Sequence, residues 1–379
     1  RYDEIGEEVR QAIWLAILLS LFGALILWNA DLILDISQVS PEIHAKASLY
    51  MHILVLGLPA SMAMRVLIAL HNAVSRPTII TIVQLIGLAA KFPLNYLFIY
   101  GAFGIEGMGG PGCAVATVII NWLWLLITLW IVVAGRFYKP FALFARFSKP
   151  DLHRIGVMLR LGMPIGFSYL IEVTSFTFMS LFIARLGTEA LAGHQIVANI
   201  GTVIYMVPLS LSIATMTLVS QSIGANQQSK AEQIGWSSVF FTTTACAVIG
   251  LTAWFFRTEL LNLYDPPEEV KQFAVPLFLF IAFYQIFDAL QVSAAFILRA
   301  YRIAFWPMLI YALSLWGVGL GGGYMLGFNI TGNVPLELQG ASGFWAANSL
   351  SLGVAAVFLL YLFKRTAVRF QKTHPPITV

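Results

Sequence analysis

Ten uninterrupted apolar segments recur along the chain, and each contains 20 or more residues. A helix of roughly 20 residues, rising about 1.5 Å per residue, crosses the ~30 Å hydrocarbon layer of a bilayer. A membrane-spanning strand would show about 10 residues of alternating polarity, and none of these segments alternates. They therefore predict ten transmembrane helices. The segments occupy residues 11–33, 46–70, 78–100, 113–134, 157–184, 191–219, 234–256, 272–298, 306–328 and 343–363.

The shortage of charged residues argues against the soluble classes of protein. Only 11% of the 379 residues are charged and 59% are hydrophobic, whereas a soluble domain carries roughly 25% charged residues. This number of charges is too small to cover a water-facing surface. The composition therefore argues against a soluble enzyme, a nucleic-acid-binding protein and a disordered scaffold. Cys113 and Cys246 lie inside apolar segments and predict neither a disulfide framework nor a metal cluster. The predicted fold class is an all-α polytopic membrane protein.

Basic residues divide unequally between the two sides of the predicted helices. Of the 22 Lys and Arg residues, 16 lie on the side that includes both chain ends and four lie on the other side. By the positive-inside rule both ends are cytoplasmic, and we expect a multi-pass protein of the cell's inner (plasma) membrane. Residues 135–156 are aromatic and basic but too short to span, which predicts a cytoplasmic interfacial linker, and residues 364–379 form a cytoplasmic tail.

The chain resembles itself at a separation of 226 to 231 residues, so that residues 41–64 align with 267–290. In this register the four helices before the linker match the last four helices of the chain. We therefore predict an N-lobe over residues 1–134, with four helices of six, and a complete six-helix C-lobe over 157–363. Two further helices are expected before residue 1, which would give twelve helices in two parallel repeats.

Two acidic residues fall near the middle of predicted helices, Glu172 within 157–184 and Asp288 within 272–298. A carboxylate at the centre of a membrane helix costs on the order of 2.5–3.5 kcal/mol, so both should face a protein interior and not lipid. Tyr284, Asp288 and Gln291 stand at i, i+4 and i+7 and share one helix face. Such oxygen-rich faces suit a hard cation or an exchangeable proton, and the competing interpretation is a structural pair hydrogen-bonded between helices.

Three stretches of sequence resemble a known family: residues 93–117, 159–200 and 284–302. The second contains the motif G-x-P-x-G-x-S-x-x-x-E, from Gly162 to Glu172. Across essentially its whole length the chain resembles the multidrug and toxic compound extrusion (MATE) transporters, most closely their NorM-like bacterial branch.

The resemblance implies a secondary active antiporter that exports cationic, amphipathic compounds in exchange for Na⁺ or H⁺. Export would proceed by alternating access of two lobes, with the drug received between them. It further implies that Glu172, Asp288 and Tyr284 form the cation site of the C-lobe, where Na⁺ would be the bound metal ion. No cofactor is expected apart from the coupling ion. The expected partners are small-molecule cationic drugs and membrane lipid, with no nucleic acid and with the chain as a monomer.

The first lobe contains weaker candidates for a substrate site or a second cation site. Lys91 and Asn95 stand at i and i+4 on one helix face, and Thr117 lies on the next predicted helix. Many relatives have a neutral or amide residue at the position of Lys91, which weakens the prediction of a cation site here. An ammonium group inside the membrane would act as a tethered counter-ion to an acid, and the alternative is a lysine that extends to the outer interface.

Two polar residues of the second lobe, Gln195 and Asn199, stand one turn apart. They either line the drug cavity, together with Gln291, or bond across helices. His194 lies close to a loop and is expected to be an interfacial polar residue. The glycine-rich segment GLGGGY at 319–324 lacks a preceding strand and a GK[ST] ending, so it predicts close helix packing and not a phosphate-binding loop.

Two other functions are compatible with a polytopic helical protein. A flippase for lipid-linked oligosaccharide, from the same superfamily, would be expected to carry basic residues along its central cavity. Apart from Lys46 and Arg160 in the first turns of their segments, only Arg65 and Lys91 are basic residues within the predicted helices, while Glu172 and Asp288 lie near helix centres. An intramembrane protease or hydrolase would need a catalytic arrangement such as H-E-x-x-H or G-x-S-x-G, and the sequence contains neither. The sequence therefore predicts a transporter and not an enzyme.

Overall fold

The computed structural model describes residues 2–36, 40–143 and 148–373, and almost all of them are helical. Two 3-10 turns (Arg136–Phe141 and Leu336–Leu338), a π-helical stretch (Ala312–Gly321) and one short antiparallel strand pair, β1 (Gly101–Ala102) with β2 (Ile105–Glu106), accompany the α-helices. The α-helices are α1 (Tyr2–Trp28), α2 (Asp31–Ile36), α3 (Pro41–Val55), α4 (Leu58–Ala73), α5 (Pro77–Tyr100), α6 (Gly110–Ala134), α7 (Leu152–Ala184), α8 (Thr188–Gly224), α9 (Gln228–Phe255), α10 (Arg257–Asn262), α11 (Glu268–Ala300), α12 (Phe305–Tyr311), α13 (Gly322–Gly327) and α14 (Ala341–Thr373).

The described residues contain nine candidate membrane spans, or ten when one bent helix pair is counted as a span, as the sequence predicts. Nine helical segments are individually long and apolar enough to cross a bilayer. The tenth span is α3 with α4, which pass the same test together although they bend by 48°. The chain is therefore an all-α polytopic membrane protein. Residues 144–147 of the predicted linker and 374–379 of the predicted tail lie outside the described residues.

The chain divides into two compact units, Arg1–Leu159 and Arg160–Val379. The division falls inside α7, a few residues after the predicted linker. The first unit contains α1 to α6 with the strand pair. The second contains most of α7 and all of α8 to α14.

In the first unit, the crossing that begins with α3 is broken at Leu56 and Gly57. Pro59, at the start of α4, lacks an N–H, and its ring would clash with the preceding helical turn, so a regular helix cannot continue through it. Nε1 of Trp122 in α6 donates to the Leu56 carbonyl oxygen at 3.0 Å, which satisfies a backbone group at the break. A Cβ on Gly57 would lie 3.1 Å from Val118, so glycine lets α6 approach the break closely.

Polar side chains near the start of α1 hold the linker in place. Arg10 donates to Ser148 Oγ and to the Ala142 carbonyl oxygen, both at 2.8 Å, and pairs with Glu7 at 2.7 Å. Ser148 donates in turn to Glu7 at 2.7 Å, and Trp14 Nε1 donates to the Ser148 carbonyl oxygen at 2.9 Å. These bonds fix the linker at the end of the unit where α1 begins and where charged groups accumulate.

In the second unit, α11 is the central helix and packs against α8, α9 and α14. Residues 291–298 of α11 are buried on every side, as expected for a helix that is surrounded by protein. Small residues allow this close packing, since a Cβ on Gly250 of α9 would lie 3.2 Å from the Cα of Ala282. Polar groups in the middle of α11 therefore lie in the interior of the unit.

The span from α12 to α13 contains the π-helical stretch, and its C-terminal glycines lie against α14. A Cβ on Gly323 would meet the Phe344 ring at 2.8 Å, and one on Gly327 would meet it at 2.3 Å. Only a residue without a side chain allows the backbone this close to the ring. The interpretation of GLGGGY as a helix-packing segment is confirmed.

Candidate functional site

Asp288 lies in the middle of α11, with 1% of its surface exposed. Its Oδ1 accepts a hydrogen bond from Gln291 Nε2 at 2.8 Å. Its Oδ2 is buried and has no hydrogen-bond partner within residues 2–36, 40–143 and 148–373. An unpartnered buried polar atom costs about 1–3 kcal/mol, and more when it is charged. A proton or a cation at Oδ2 would remove this cost.

Gln291 donates a hydrogen bond to Oδ1, the partnered carboxylate oxygen of Asp288. The Tyr311 hydroxyl donates to Gln291 Oε1, which leaves the amide nitrogen free to donate to Asp288. All three side chains are buried, so these bonds form in a medium of low dielectric constant, where they are strong. Tyr311 belongs to α12, directly before the π-helical stretch, and π-helical segments are frequent at functional sites.

Glu172 lies half-buried on α7, and its charge interacts with the charge of Asp288. Both carboxylates also act electrostatically on the phenols of Tyr205 in α8 and Tyr311 in α12. The two predicted acids of the second unit thus lie close enough for their charges to interact, and with the two phenols they make up what is here called the polar centre. Tyr205 and Tyr311 were absent from the sequence prediction, because their sequence positions do not reveal which helices lie next to α11.

Tyr284 lies one turn before Asp288 and is half-buried among aromatic rings. Its ring centroid lies 5.6 Å from that of Trp345 and 6.5 Å from that of Phe176, and both contacts are edge to face. The charges of Asp288 and Glu172 act on its phenol. The three residues that the family resemblance assigns to a cation site therefore all lie in the second unit, where Tyr284 is one turn from Asp288 and the charge of Glu172 acts on both.

A basic residue one position beyond the predicted segment 272–298 flanks this centre. Arg299 lies in the last turn of α11 and donates to the Tyr169 hydroxyl at 3.1 Å. Its guanidinium carbon lies 4.2 Å from the centroid of the Phe296 ring and 5.1 Å from that of Tyr169, which is cation–π geometry. Tyr169 is one turn before Glu172 on α7, and the Arg299 charge interacts with Glu172.

The predicted polar residues of the first unit do not form a comparable network. Thr117 donates to the carbonyl oxygen of Cys113 in its own helix, at 2.8 Å. The Asn95 Oδ1 is buried and has no partner in the described part of the chain. Lys91 is half-buried, and it makes no ion pair with a described residue.

Gln195 and Asn199 both have exposed side chains on α8. Asn199 Oδ1 accepts a hydrogen bond from the Tyr264 hydroxyl at 2.8 Å. Tyr264 also lines an apolar groove of about 550 Å³ between α8, α9 and the segment around α10. Asn199 therefore bonds across elements, which is one of the two alternatives that the sequence left open. Gln291 belongs instead to the polar centre.

The prediction that His194 is an interfacial residue is wrong, because its side chain is fully buried, with 0% exposed. Its Nδ1 accepts a hydrogen bond from Trp345 Nε1 at 3.2 Å, and its Nε2 is bonded to Ser180 Oγ at 2.8 Å. The error arose because nearness to a loop in sequence does not fix which face of α8 a residue occupies. His194 faces α7 and α14.

The donor set limits the kinds of ion that the centre would hold. No group of three or more His, Cys, Asp or Glu side chains that would ligate a metal occurs in the described residues. A hard ion such as Na⁺ would need phenol, amide or backbone oxygens in addition to the carboxylates of Glu172 and Asp288, and Tyr284 and Gln291 provide such groups. A proton would bind at Asp288 Oδ2, and the negative charge of Glu172 would strengthen its binding there. The residues present therefore fit either ion.

Comparisons with known proteins match this architecture. The sequence profile of the MatE family matches residues 1–97 and 164–325. The chain is 36% identical to a probable multidrug resistance protein NorM of Aromatoleum aromaticum, over 96% of this chain and 78% of that protein. It is 34% identical to the multidrug resistance protein PmpM of Pseudomonas aeruginosa, over 97% of this chain and 77% of that protein. The expectation of two helices before residue 1 gains no support from these alignments.

Solved structures show the same fold. The crystal structure of the eukaryotic MATE transporter AtDTX14 matches with a TM-score of 0.84 at 18% identity, over 98% of this chain and 82% of that one. An outward-facing multidrug resistance MATE family transporter matches with a TM-score of 0.85 at 15% identity, over 98% of this chain and 85% of that one. At these identities the likeness bears on the fold alone.

Proposed function

The chain belongs to the MatE family, and from this membership we propose that it is a secondary active multidrug efflux transporter. It exports cationic, amphipathic compounds in exchange for Na⁺ or H⁺ by alternating access. Relatives from several bacteria carry the names of multidrug resistance proteins at 31% to 36% identity, which supports efflux of drugs. The energy for export comes from the inward flow of the coupling ion.

The observation that carries the ion-coupling part of the proposal is the unpartnered Oδ2 of the buried Asp288. An ionised carboxylate without a counter-charge is costly in the interior of a membrane protein, so the site favours an ion or a proton. Glu172 adds a second negative charge, which strengthens the attraction for a cation. Tyr284 and Gln291 contribute neutral oxygens. Antiport requires that the coupling ion binds this centre in one conformation of the transporter and is released from it in the other.

The location of the protein belongs to the same proposal. The excess of Lys and Arg on one side of the spans supports an orientation in the inner membrane with both chain ends in the cytoplasm. The transporter acts as a monomer on small-molecule cations within a lipid bilayer. It needs no cofactor other than the coupling ion.

The two alternative functions have less support. The flippase is not favoured, because the relatives are named for multidrug resistance and the buried centre of the second unit contains two acids. The membrane enzyme is not favoured either, because the chain matches the MatE family and its relatives are named multidrug resistance proteins.

Flux in proteoliposomes tests the proposal. A fluorescent organic cation is loaded into vesicles, and Na⁺ and H⁺ gradients are imposed separately on the wild-type protein and on Glu172→Gln. We expect one of the gradients to drive wild-type export and the variant to lose at least about 90% of that export, since one charge of the site is gone. Glu269→Gln, an exposed carboxyl on α11, is the matched control and should export normally. Gradient-driven export by Glu172→Gln at the wild-type rate would contradict the proposal.

A further inference from the structure

Four aromatic side chains from four helices form a closed cluster in the second unit: Phe176 of α7, His194 of α8, Tyr284 of α11 and Trp345 of α14. The His194 and Trp345 ring centroids are 5.8 Å apart, and those of Trp345 and Tyr284 are 5.6 Å apart. Phe176 lies 6.1 to 6.5 Å from each of the other three rings. These spacings are those of attractive edge-to-face and stacked pairs.

The cluster adjoins the polar centre on one side. Phe176 follows Glu172 by four residues, and Tyr284 precedes Asp288 by four residues. Because α7 and α11 are the fifth and eighth spans, they cross the membrane in opposite directions. A step of one turn toward the C-terminus of α7 and a step of one turn toward the N-terminus of α11 therefore lead toward the same side of the membrane. The cluster therefore lies one helical turn from each acid, on the same side of both.

A chain of hydrogen bonds fixes the orientation of the rings. An indole N–H only donates, so the His194 Nδ1 that receives it carries no proton. The proton of the neutral imidazole is then on Nε2, which donates to Ser180 Oγ at 2.8 Å. Ser180 donates in turn to the Phe176 carbonyl oxygen at 3.1 Å. Both imidazole nitrogens therefore form hydrogen bonds, and the bond from Trp345 determines which nitrogen carries the proton.

Packing alone would not require this arrangement, because an apolar residue at position 194 would fill the space without burying two polar nitrogens. The hydrogen bond from Trp345 to His194 instead orients the indole, and the Trp345 and Tyr284 rings are in edge-to-face contact. A ring that is held in one orientation loses less entropy when its hydroxyl or face engages an ion.

We propose that His194 is a positioning residue for the cation site: through Trp345, it holds the Tyr284 ring in the orientation in which that ring meets an ion bound at Asp288 and Glu172. This inference rests on the proposed function, because it assumes that the acids bind the coupling ion. His194 remains a neutral hydrogen-bonding group throughout and does not itself touch the ion.

The test measures ion binding in the purified full chain, with Na⁺ at constant pH as the first probe and H⁺ as the second. Ion-dependent thermal stabilisation gives an apparent dissociation constant. His194→Leu removes both hydrogen bonds, Trp345→Phe keeps a ring but removes the N–H, and His194→Gln keeps a donor and an acceptor. We expect the first two variants to weaken ion binding by about three- to tenfold, and His194→Gln to recover part of the loss.

A spectroscopic measurement separates positioning from a general loss of stability. Because Trp345 touches Tyr284, ion binding should change the tryptophan emission of the wild-type protein. This change should be absent in Trp345→Phe, reduced in His194→Leu, and retained in Trp254→Phe, the control, whose ring contacts Arg257 and lies outside the cluster.

The outcomes distinguish the two levels of the proposal. If neither ion affects the wild-type protein, the proposed cation site is wrong, and the role of His194 falls with it. If wild-type protein binds an ion, Glu172→Gln does not, and both His194→Leu and Trp345→Phe bind it with unchanged affinity, only the role of His194 is wrong. Should His194→Leu fail to fold, Trp345→Phe decides, because it retains an aromatic ring in the same place.

Discussion

In the internal repeat that the sequence predicts, the crossing formed by α3 and α4 in the first unit corresponds to the crossing formed by α11 in the second, yet among the described residues only the second carries a polar centre. At a separation of 226 residues, the positions of Tyr284, Asp288 and Gln291 correspond to Leu58, Met62 and Arg65. Two apolar side chains and one exposed arginine thus replace a phenol, a carboxylate and an amide.

The backbones of the two crossings differ at the same place. α11 is continuous through Tyr284, whereas the crossing of the first unit breaks immediately before Leu58. At the break, the Leu56 carbonyl oxygen receives a hydrogen bond from a tryptophan of α6, while in α11 it is the side chains that supply the polar groups. Two crossings that the sequence alignment pairs therefore differ in structure: α11 contains a buried carboxylate, and the crossing formed by α3 and α4 contains a bend.

The largest expected effect comes from replacing Asp288 of α11 with methionine, the residue at the corresponding position 62 of the first unit. Asp288→Met should abolish ion-driven export, because the buried carboxylate with the free oxygen is removed. The change is measured as gradient-driven flux in proteoliposomes. Met62→Leu, at the equivalent position of the first unit, should leave flux within about twofold of wild type because it conserves volume. If the two variants lost the same fraction of gradient-driven flux, the two positions would not differ in their importance for export.

A smaller effect is expected from Gln291→Leu, which leaves Asp288 Oδ1 and the Tyr311 hydroxyl without their partner. Loss of these bonds should lower the free energy of unfolding by about 1–3 kcal/mol and the apparent affinity for the coupling ion by about tenfold. Chemical unfolding in mixed micelles and ion titration measure the two quantities. Arg65→Leu, at the equivalent exposed position, is the control. If it lowers the free energy of unfolding as much as Gln291→Leu does, the two crossings do not differ at this position.

The two repeats should behave alike where both use glycine to pack the last two spans. A Cβ on Gly87 of α5 would lie 1.9 Å from the Trp124 indole of α6, and one on Gly323 would lie 2.8 Å from Phe344. Gly87→Ala and Gly323→Ala should each lower the free energy of unfolding by about 1–3 kcal/mol through overpacking. Gly317→Ala, where a Cβ would meet nothing within 4 Å, should be neutral or stabilising. An unaffected Gly87→Ala would mean that the first unit packs more loosely than the second.

The smallest effect is expected at Lys91, which forms no ion pair with a described residue of the chain. Lys91→Met keeps the length of the side chain and removes its charge. Export and its dependence on the Na⁺ or H⁺ gradient should remain within about twofold of wild type, as measured by the same flux assay. A changed ion dependence would instead support the counter-ion interpretation and give the first unit a part in coupling.

The sequence predicts the spans well because segment length and hydropathy are local properties. The ten predicted segments correspond to ten crossings, and the glycines of 319–324 are used for packing as expected. The break at Leu56 and Gly57 was not predicted, because an apolar run that contains Pro59 reads as one span and the tryptophan that caps the break lies 66 residues away.

The candidate site was only partly predictable, for reasons of tertiary structure. Asp288 and Gln291 were grouped correctly on one face, since a helix face follows from spacing. Tyr205 and Tyr311 were missed because they lie on other helices, and Arg299 was missed because α11 extends beyond the predicted segment. His194 was placed at the interface, whereas packing against Trp345 buries it.

Direct measurement of ion binding tests the central claim that Glu172 and Asp288 share one exchangeable cation. Purified wild-type protein, Glu172→Gln and Asp288→Asn are titrated with Na⁺ at constant pH and, separately, with H⁺, by calorimetry. We predict one bound ion per wild-type chain and a loss of at least about 90% of that binding in each variant, because either charge alone leaves the site incomplete. Ion binding of wild-type affinity and stoichiometry in both variants would contradict the claim.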